Sequence, residues 1–152
     1  MTSSHAPAHA YEPKQLKDRS QFRVWISENT RFRDTDAQGH VNNAVYATYF
    51  EIARGATRHL LTGRPQGSTS VVARQVINYH VQLRHPAKLD IGTAVVRIGR
   101  SSWDLGYGLF KEEVCHATGE VTMVLIEKAT GRSMPLPAAF RDKLEALMLG
   151  RH

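Results

Sequence analysis

Two carboxylates, a glycine and two asparagines fall together in one stretch, RFRDTDAQGHVNNAVYATYFEIAR, from Arg31 to Arg54. Asp34 and Asp36 stand where a strand-like run through Arg31, Phe32 and Arg33 gives out. Gly39 permits a backbone turn that a side chain would obstruct. Asn42 and Asn43 sit where a helix pattern begins, and Asn is favoured at that position. The first amides of a helix have no internal partner and carry the positive end of its dipole. A carboxylate on the approaching turn can therefore lie beside donors able to hold a carbonyl oxygen. Base or nucleophile on one side and oxyanion holder on the other make a minimal acyl-transfer site. An Asp near a helix start also caps it or pairs with neighbouring cations. Spacing alone leaves both roles open.

Other chemistry finds little support. The chain has no Gly-x-Ser-x-Gly elbow, no phosphate-cradling Gly-x-x-x-x-Gly-Lys and no His-Glu-x-x-His. Its eight His lack the paired spacing of a metal site. His5 and His9 are four apart, but in a Pro-containing tail that suits a surface role. Cys115 and His116 are neighbours on a predicted strand, point to opposite faces and so make a poor nucleophilic pair. Glu51 is a rival carboxylate on the helix, although Arg54 at i+3 offers it a routine ion pair. Neither a metal nor a redox cofactor is called for.

The elements that must position these residues follow from periodicity. Val45, Tyr46, Tyr49, Ile52, Ala53, Ala56 and Leu60 recur at helical spacing, and Gly63 with Pro65 ends the helix. Phe22, Val24 and Ile26 alternate as a first strand. Ile77, Tyr79, Val81 and Leu83 make the clearest strand, and another runs from about Ile91 to Ile98. After a turn at Gly99 to Ser102, Trp103, Leu105, Tyr107 and Leu109 face one way while Gly106 and Gly108 face the other. Thr118 and Gly119 read as the next turn, before Val121, Met123 and Leu125. Thr130-Gly131 and Pro135 to Pro137 close the sheet, and Phe140, Leu144, Leu147 and Met148 mark a short final helix. The expected class is α+β, an antiparallel five-stranded sheet wrapped around one long helix. Residues 1–20 read as a flexible lead-in and 21–152 as a single domain. Such a sheet has open edges, which a second copy of the chain would cover.

A chain of 152 residues, 41% hydrophobic and 22% charged, has ordinary globular composition. One cysteine suits a reducing compartment, no apolar run approaches a membrane span and Met1 to Ala10 lacks a secretory pattern. These features lead us to expect a cytoplasmic protein without a membrane partner. A net charge of +6 favours polyanionic partners. The cations are scattered and no nucleic-acid motif accompanies them, so nucleic acid is not expected.

Asp-x-Asp-x-x-Gly-His-Val-Asn-Asn followed by an aromatic helix resembles the 4-hydroxybenzoyl-CoA thioesterase-like branch of the hot-dog-fold acyl-CoA thioesterases. It is most similar to members with Gly-His-Val-Asn-Asn that act on fatty acyl-CoA. The likeness runs through the strand order and the Thr-Gly-Arg ending at Arg132, roughly Phe22 to Leu147. It implies a sheet folded round the helix, homodimers or homotetramers with the site at the subunit boundary, and hydrolysis of an acyl-CoA. It also implies Asp36 as nucleophile or general base and the Asn43 amide as oxyanion donor. His40 and Asn42 would place a water or the substrate carbonyl, or else serve the turn. Tyr46, with Tyr49 and Phe50, would line the core or the pocket. Arg100, Ser101 and Ser102 match a turn that meets the phosphates of coenzyme A. Another hot-dog branch carries its acid on the helix, which keeps Glu51 in view. An acyl-carrier-protein thioesterase and a non-catalytic acyl-CoA-binding module are the alternatives.

Overall fold

The computed structural model describes residues 11–151, so His5, His9 and the first half of the expected lead-in lie outside the described residues. Strands β1 (Val24–Asn29), β2 (Ser68–Tyr79), β3 (Lys88–Ile98), β4 (Ser102–Lys111) and β5 (Val114–Glu127) form one sheet. Its order is β1-β3-β4-β5-β2, with every pair antiparallel. Helix α1 (Val45–Ala56) lies on one face, and α2 (Ala138–Ala146) closes the end of the core. This is the hot-dog arrangement expected from the sequence. Among the described residues, no helix is long and apolar enough to cross a membrane.

α1 buries Tyr46, Tyr49, Phe50 and Ala53, which form one stripe at helical spacing. The stripe is narrower than the sequence suggests, because Ile52 is 37% exposed. The helix also stops at Ala56, short of Leu60. There the Thr57 hydroxyl donates to the Arg54 carbonyl at 2.7 Å and closes the last turn. Phe50 stacks on Tyr107 of β4 with ring centroids 5.0 Å apart. It reaches that depth because Gly119 carries no side chain; a Cβ there would stand 2.7 Å from the Phe50 ring. Thr118 and Gly119 therefore lie inside β5 rather than at a turn, with the glycine serving close approach. The β4–β5 reversal falls instead at Glu112, whose φ is 54°.

β2 differs most from expectation. It begins at Ser68 and ends at Tyr79, so Val81 and Leu83 are outside it. The amides of His80 and Val81 both donate to the His116 carbonyl, and the chain leaves the ladder there. β2 is an edge strand whose neighbours Val71 and Val72 are 39% and 46% exposed. With neither face buried, no alternation marks its first half.

The opposite face of β4 is covered by Tyr11 to Phe22, which form two short 3₁₀ turns at Pro13–Lys17 and Arg19–Gln21. Leu16 is only 1% exposed. A Cβ at Gly106 would come within 2.7 Å of its side chain, so the glycine makes room for it. Arg19 lies 4.6 Å from the Trp25 ring centre and pairs with Asp90 at 3.2 Å. The lead-in expected through Ser20 is thus corrected from Tyr11 onward, where the chain packs on the sheet. Leu16→Ala should destabilise the protein by about 2–5 kcal/mol, the usual cost of removing a buried leucine. Chemical denaturation reads this directly, and an unchanged midpoint would mean that the segment does not hold to the sheet.

Candidate active site

Arg31 to Arg33 do not end a strand. Phe32–Asp34 forms a 3₁₀ turn, and the Asp34 carboxylate explains why. Its Oδ2 accepts from the Arg31 amide and from the Tyr49 hydroxyl, each at 2.8 Å. Arg31 Nε adds a charge at 3.8 Å. Asp34 is buried, and its carbonyl accepts from the Asn42 amide at 2.8 Å. Burial, together with the bond to Asp34, pushes the Tyr49 phenol well above its ordinary pKa. Asp34 is therefore the post on which the loop is mounted.

Asp36 is held differently. Its Oδ1 accepts from the amides of Gln38 at 2.8 Å and His40 at 3.0 Å, an Asx-type turn that Gly39 completes with a φ of 81°. Its Oδ2 makes no hydrogen bond among the described residues and lies 4.0 Å from His40 Nδ1. Partial desolvation pulls the carboxyl pKa up, but the two amides and the charges of His40 and Arg84 outweigh it and hold the pKa below its ordinary value. The result is an exposed, anionic carboxylate with one oxygen fixed and the other free. His40 Nε2 is buried without a hydrogen-bond partner among the described residues.

The helix start lies at the far end of the same loop. α1 begins at Val45 with Ala44 as its N-cap, so Asn42 braces the turn before the helix instead of capping it. Its side chain accepts from the Ala44 amide at 3.0 Å and its carbonyl from the Val45 amide at 3.0 Å. The Asn43 amide has no acceptor among the described residues. The Asn43 carbonyl accepts from the Tyr79 hydroxyl at 2.9 Å, which fixes the next peptide. No sequence signal marked Tyr79 for that task. Tyr46 is buried edge-on to Tyr79, with ring centroids 5.0 Å apart.

Arg100, Ser101 and Ser102 are not brought to this loop. Strand register places Tyr79, Ala117, Leu109 and Ile91 in one row, and Val72, Met123, Trp103 and Ile98 in another. The seven residues from Ile91 to Ile98 separate those rows by about 23 Å along β3. Asn43 sits at the first row and Arg100 beyond the second. Arg100 is exposed and makes no ion pair among the described residues, whereas the Ser102 hydroxyl is occupied by Arg97 at 3.0 Å.

A cavity of about 930 Å³ opens along the C-terminal half of α1 toward the second row. Thr48, Glu51, Ile52 and Arg54 border it, and Asp36 does not. Glu51 does not form the expected ion pair with Arg54; among the described residues no salt bridge involves it. The helix phase of Glu51 was legible in the sequence, but the space beside it was not. Burial pushes the Cys115 thiol up to about 11, so it is no ready nucleophile. No group of three or more His, Cys, Asp or Glu among the described residues is placed to hold a metal.

Residues 30–144 match the thioesterase-like superfamily. YsmA of Bacillus subtilis (strain 168), an uncharacterised protein, is 31% identical over 133 residues, covering 84% of this chain and 88% of its own. A thioesterase from Thermus thermophilus, solved in complex with coenzyme A and zinc, is 34% identical with a TM-score of 0.73. That alignment covers 87% of this chain and 98% of the other. The DHNA-CoA thioesterase of Staphylococcus aureus is 27% identical with a TM-score of 0.70, over 81% and 87% of the two chains.

The Asp36 turn makes a direct prediction. A lowered pKa keeps the carboxylate charged as pH falls to 3.8, where a free aspartate is half protonated. Carbon-detected NMR titration should therefore place the Asp36 midpoint below that value, with the Gln38 and His40 amides shifting in step. A midpoint above it would contradict the turn.

Proposed function

The chain belongs to the thioesterase-like superfamily, and from that premise we propose that it hydrolyses a fatty acyl-CoA to the free acid and coenzyme A. One observation carries the site assignment. The loop from Asp34 to Asn43 presents a carboxylate with a free oxygen and, at the start of α1, an amide without an acceptor. The thioester carbonyl oxygen rests on the Asn43 amide, where the helix dipole stabilises the charge that develops in the transition state. Asp36 attacks the carbonyl or activates a water toward it, while His40 and Asn42 hold the turn and orient the reacting groups. Tyr46 walls the pocket.

The enzyme works as a homodimer or a pair of dimers, in one cytoplasmic hot-dog domain of lipid metabolism. One feature favours a second copy: the free edge of β2 exposes Val71 and Val72, which it would cover. Arg100 to Ser102 lie about 23 Å along the sheet from Asn43, roughly the reach of an extended coenzyme A arm, so they suit the nucleotide of a substrate whose thioester is held at an Asn43 amide.

Glu51 carries a second reading, because it borders the large cavity and forms no salt bridge among the described residues. It stands about 9 Å along the axis from the helix start, at 1.5 Å per residue. It cannot serve a carbonyl held at the Asn43 amide of the same subunit. Asp36→Asn keeps an oxygen for the turn but loses the charge, so kcat should fall by at least about 10²-fold. Glu51→Gln should leave kcat within a few-fold of wild type. Asp34→Asn should act on stability, by about 1–3 kcal/mol for a disrupted buried network. Steady-state kinetics with acyl-CoA and thermal melts decide the matter. The inverse pattern, with Glu51→Gln inactive and Asp36→Asn active, would move the chemistry to the cavity. Turnover confined to acyl-carrier-protein thioesters, or none with either carrier, would select the other two alternatives.

A further inference from the structure

The cavity beside α1 carries a charge pattern that a plain hydrocarbon chain would leave unanswered. Trp103, Leu105, Met123 and Phe140 give it an apolar floor. Arg54, Arg58 and Arg64 stand round it against a single carboxylate, Glu51. None of the three arginines pairs with a carboxylate among the described residues. Arg64 donates to the Ser70 hydroxyl at 2.9 Å and lies 5.9 Å from the Phe140 ring centre, which holds it at the wall.

The helix dipole accounts for cations near the end of α1. It does not account for Arg64, which comes from the loop beyond Gly63. Arg54 stands in the last turn of α1, where the dipole favours it, and is half-buried beside Tyr107. The buried hydroxyl of that tyrosine makes no hydrogen bond of good geometry among the described residues, although Arg54 lies close enough to act on it as donor and charge. Burial pushes its phenol up to about 12 against the opposing charge of Arg54. Glu51, three residues back on α1, is the one carboxylate at the cavity and forms no salt bridge with Arg54 among the described residues, so the guanidinium's fork of donors can still take a carboxylate.

The position suits the far end of an acyl chain. Asn43 and Arg54 are about 16 Å apart along the helix at 1.5 Å per residue. The Arg54 side chain leans back toward the helix start and shortens that gap. A medium-length chain with its thioester at Asn43 would run along α1 and end among the arginines.

We propose that this cavity selects acyl groups that end in a second carboxylate, ω-carboxyacyl thioesters, and that Arg54 with Arg64 reads the terminal carboxylate. The proposal rests on the acyl-CoA hydrolase reading above for the position of the thioester.

The test compares decanedioyl-CoA with decanoyl-CoA. Wild type should favour the dicarboxylic substrate in kcat/KM by at least about tenfold, the low end for a charge-assisted hydrogen bond. Arg54→Met should collapse that ratio toward one through loss on the dicarboxylic substrate, and Arg54→Lys should keep part of the preference. A wild type that prefers decanoyl-CoA overturns the proposal. So does a variant in which both substrates lose equally, or one whose mass by light scattering drops while the ratio stays, since a second copy would then cover this face. Calorimetry with the decyl thioether of coenzyme A and its ω-carboxy counterpart reads the pocket without catalysis. Tighter binding of the carboxylated thioether, abolished in Arg54→Met, would uphold the pocket even if no thioester were hydrolysed. Hydrolysis without preference, or thioethers bound equally, would sink the pocket and leave the hydrolase reading intact.

Discussion

A single buried carboxylate fixes the loop on which this site depends. Asp34 accepts from the Tyr49 hydroxyl on α1 and from the Arg31 amide at the end of the approaching chain. Its carbonyl holds the Asn42 amide at the helix start. A buried carboxylate is stable only when it is hydrogen-bonded, and here both side-chain bonds and the Arg31 charge converge on Oδ2. These contacts join Arg31, Asp34, Asn42 and Tyr49. Asp36 is then presented outward on a turn closed by its own side chain, seven residues before the Asn43 amide that has no acceptor among the described residues. The two acids differ by environment rather than by type. Asp34 is buried and paired through Oδ2 with Arg31 and Tyr49, whereas Asp36 is exposed and held by two amides through Oδ1.

The depth of α1 rests on a second constraint, the missing side chain at Gly119. Phe50 fills that space and stacks on Tyr107, which seats the helix against β4 and β5. On the other face, Gly106 and Gly108 admit the Tyr11 to Phe22 segment in the same way. The sheet is thus thin in the middle and padded from both sides. Aromatic and aliphatic side chains from elsewhere in the chain take the place of its own.

Much of this was legible in the sequence. The loop motif, the stripe through Tyr46, Tyr49 and Phe50, and the alternation of β4 all carried local signals. What escaped had none, or had a misleading one. Gly119 looks like a turn because glycine is permissive, yet its use here is steric and depends on Phe50, far away in the chain. The first half of β2 has both faces exposed, so it shows no alternation. Leu16 sits among polar neighbours, and only the glycines of β4 create its pocket. The cavity arises from α1, β2, β4 and α2 together, so Arg64 and Trp103 become neighbours that no spacing could announce. The proposed roles of Asp36 and Asn43 rest on family likeness joined to geometry, since an aspartate before a helix serves many structural ends.

In the proposed reaction the participating groups are divided along the sheet. Carboxylate and helix amide lie at one end, and the Arg100 turn and the cationic cavity at the other. In that proposed reaction the Asn43 amide holds the substrate carbonyl opposite Asp36. An acyl-CoA analogue in which methylene replaces the thioester sulfur keeps that carbonyl and resists hydrolysis. Amide NMR with this analogue is the most direct measurement. The Asn43 amide proton should move downfield and its exchange with solvent should slow. Perturbations confined to residues around Glu51, with the Asn43 amide unchanged, would contradict the account.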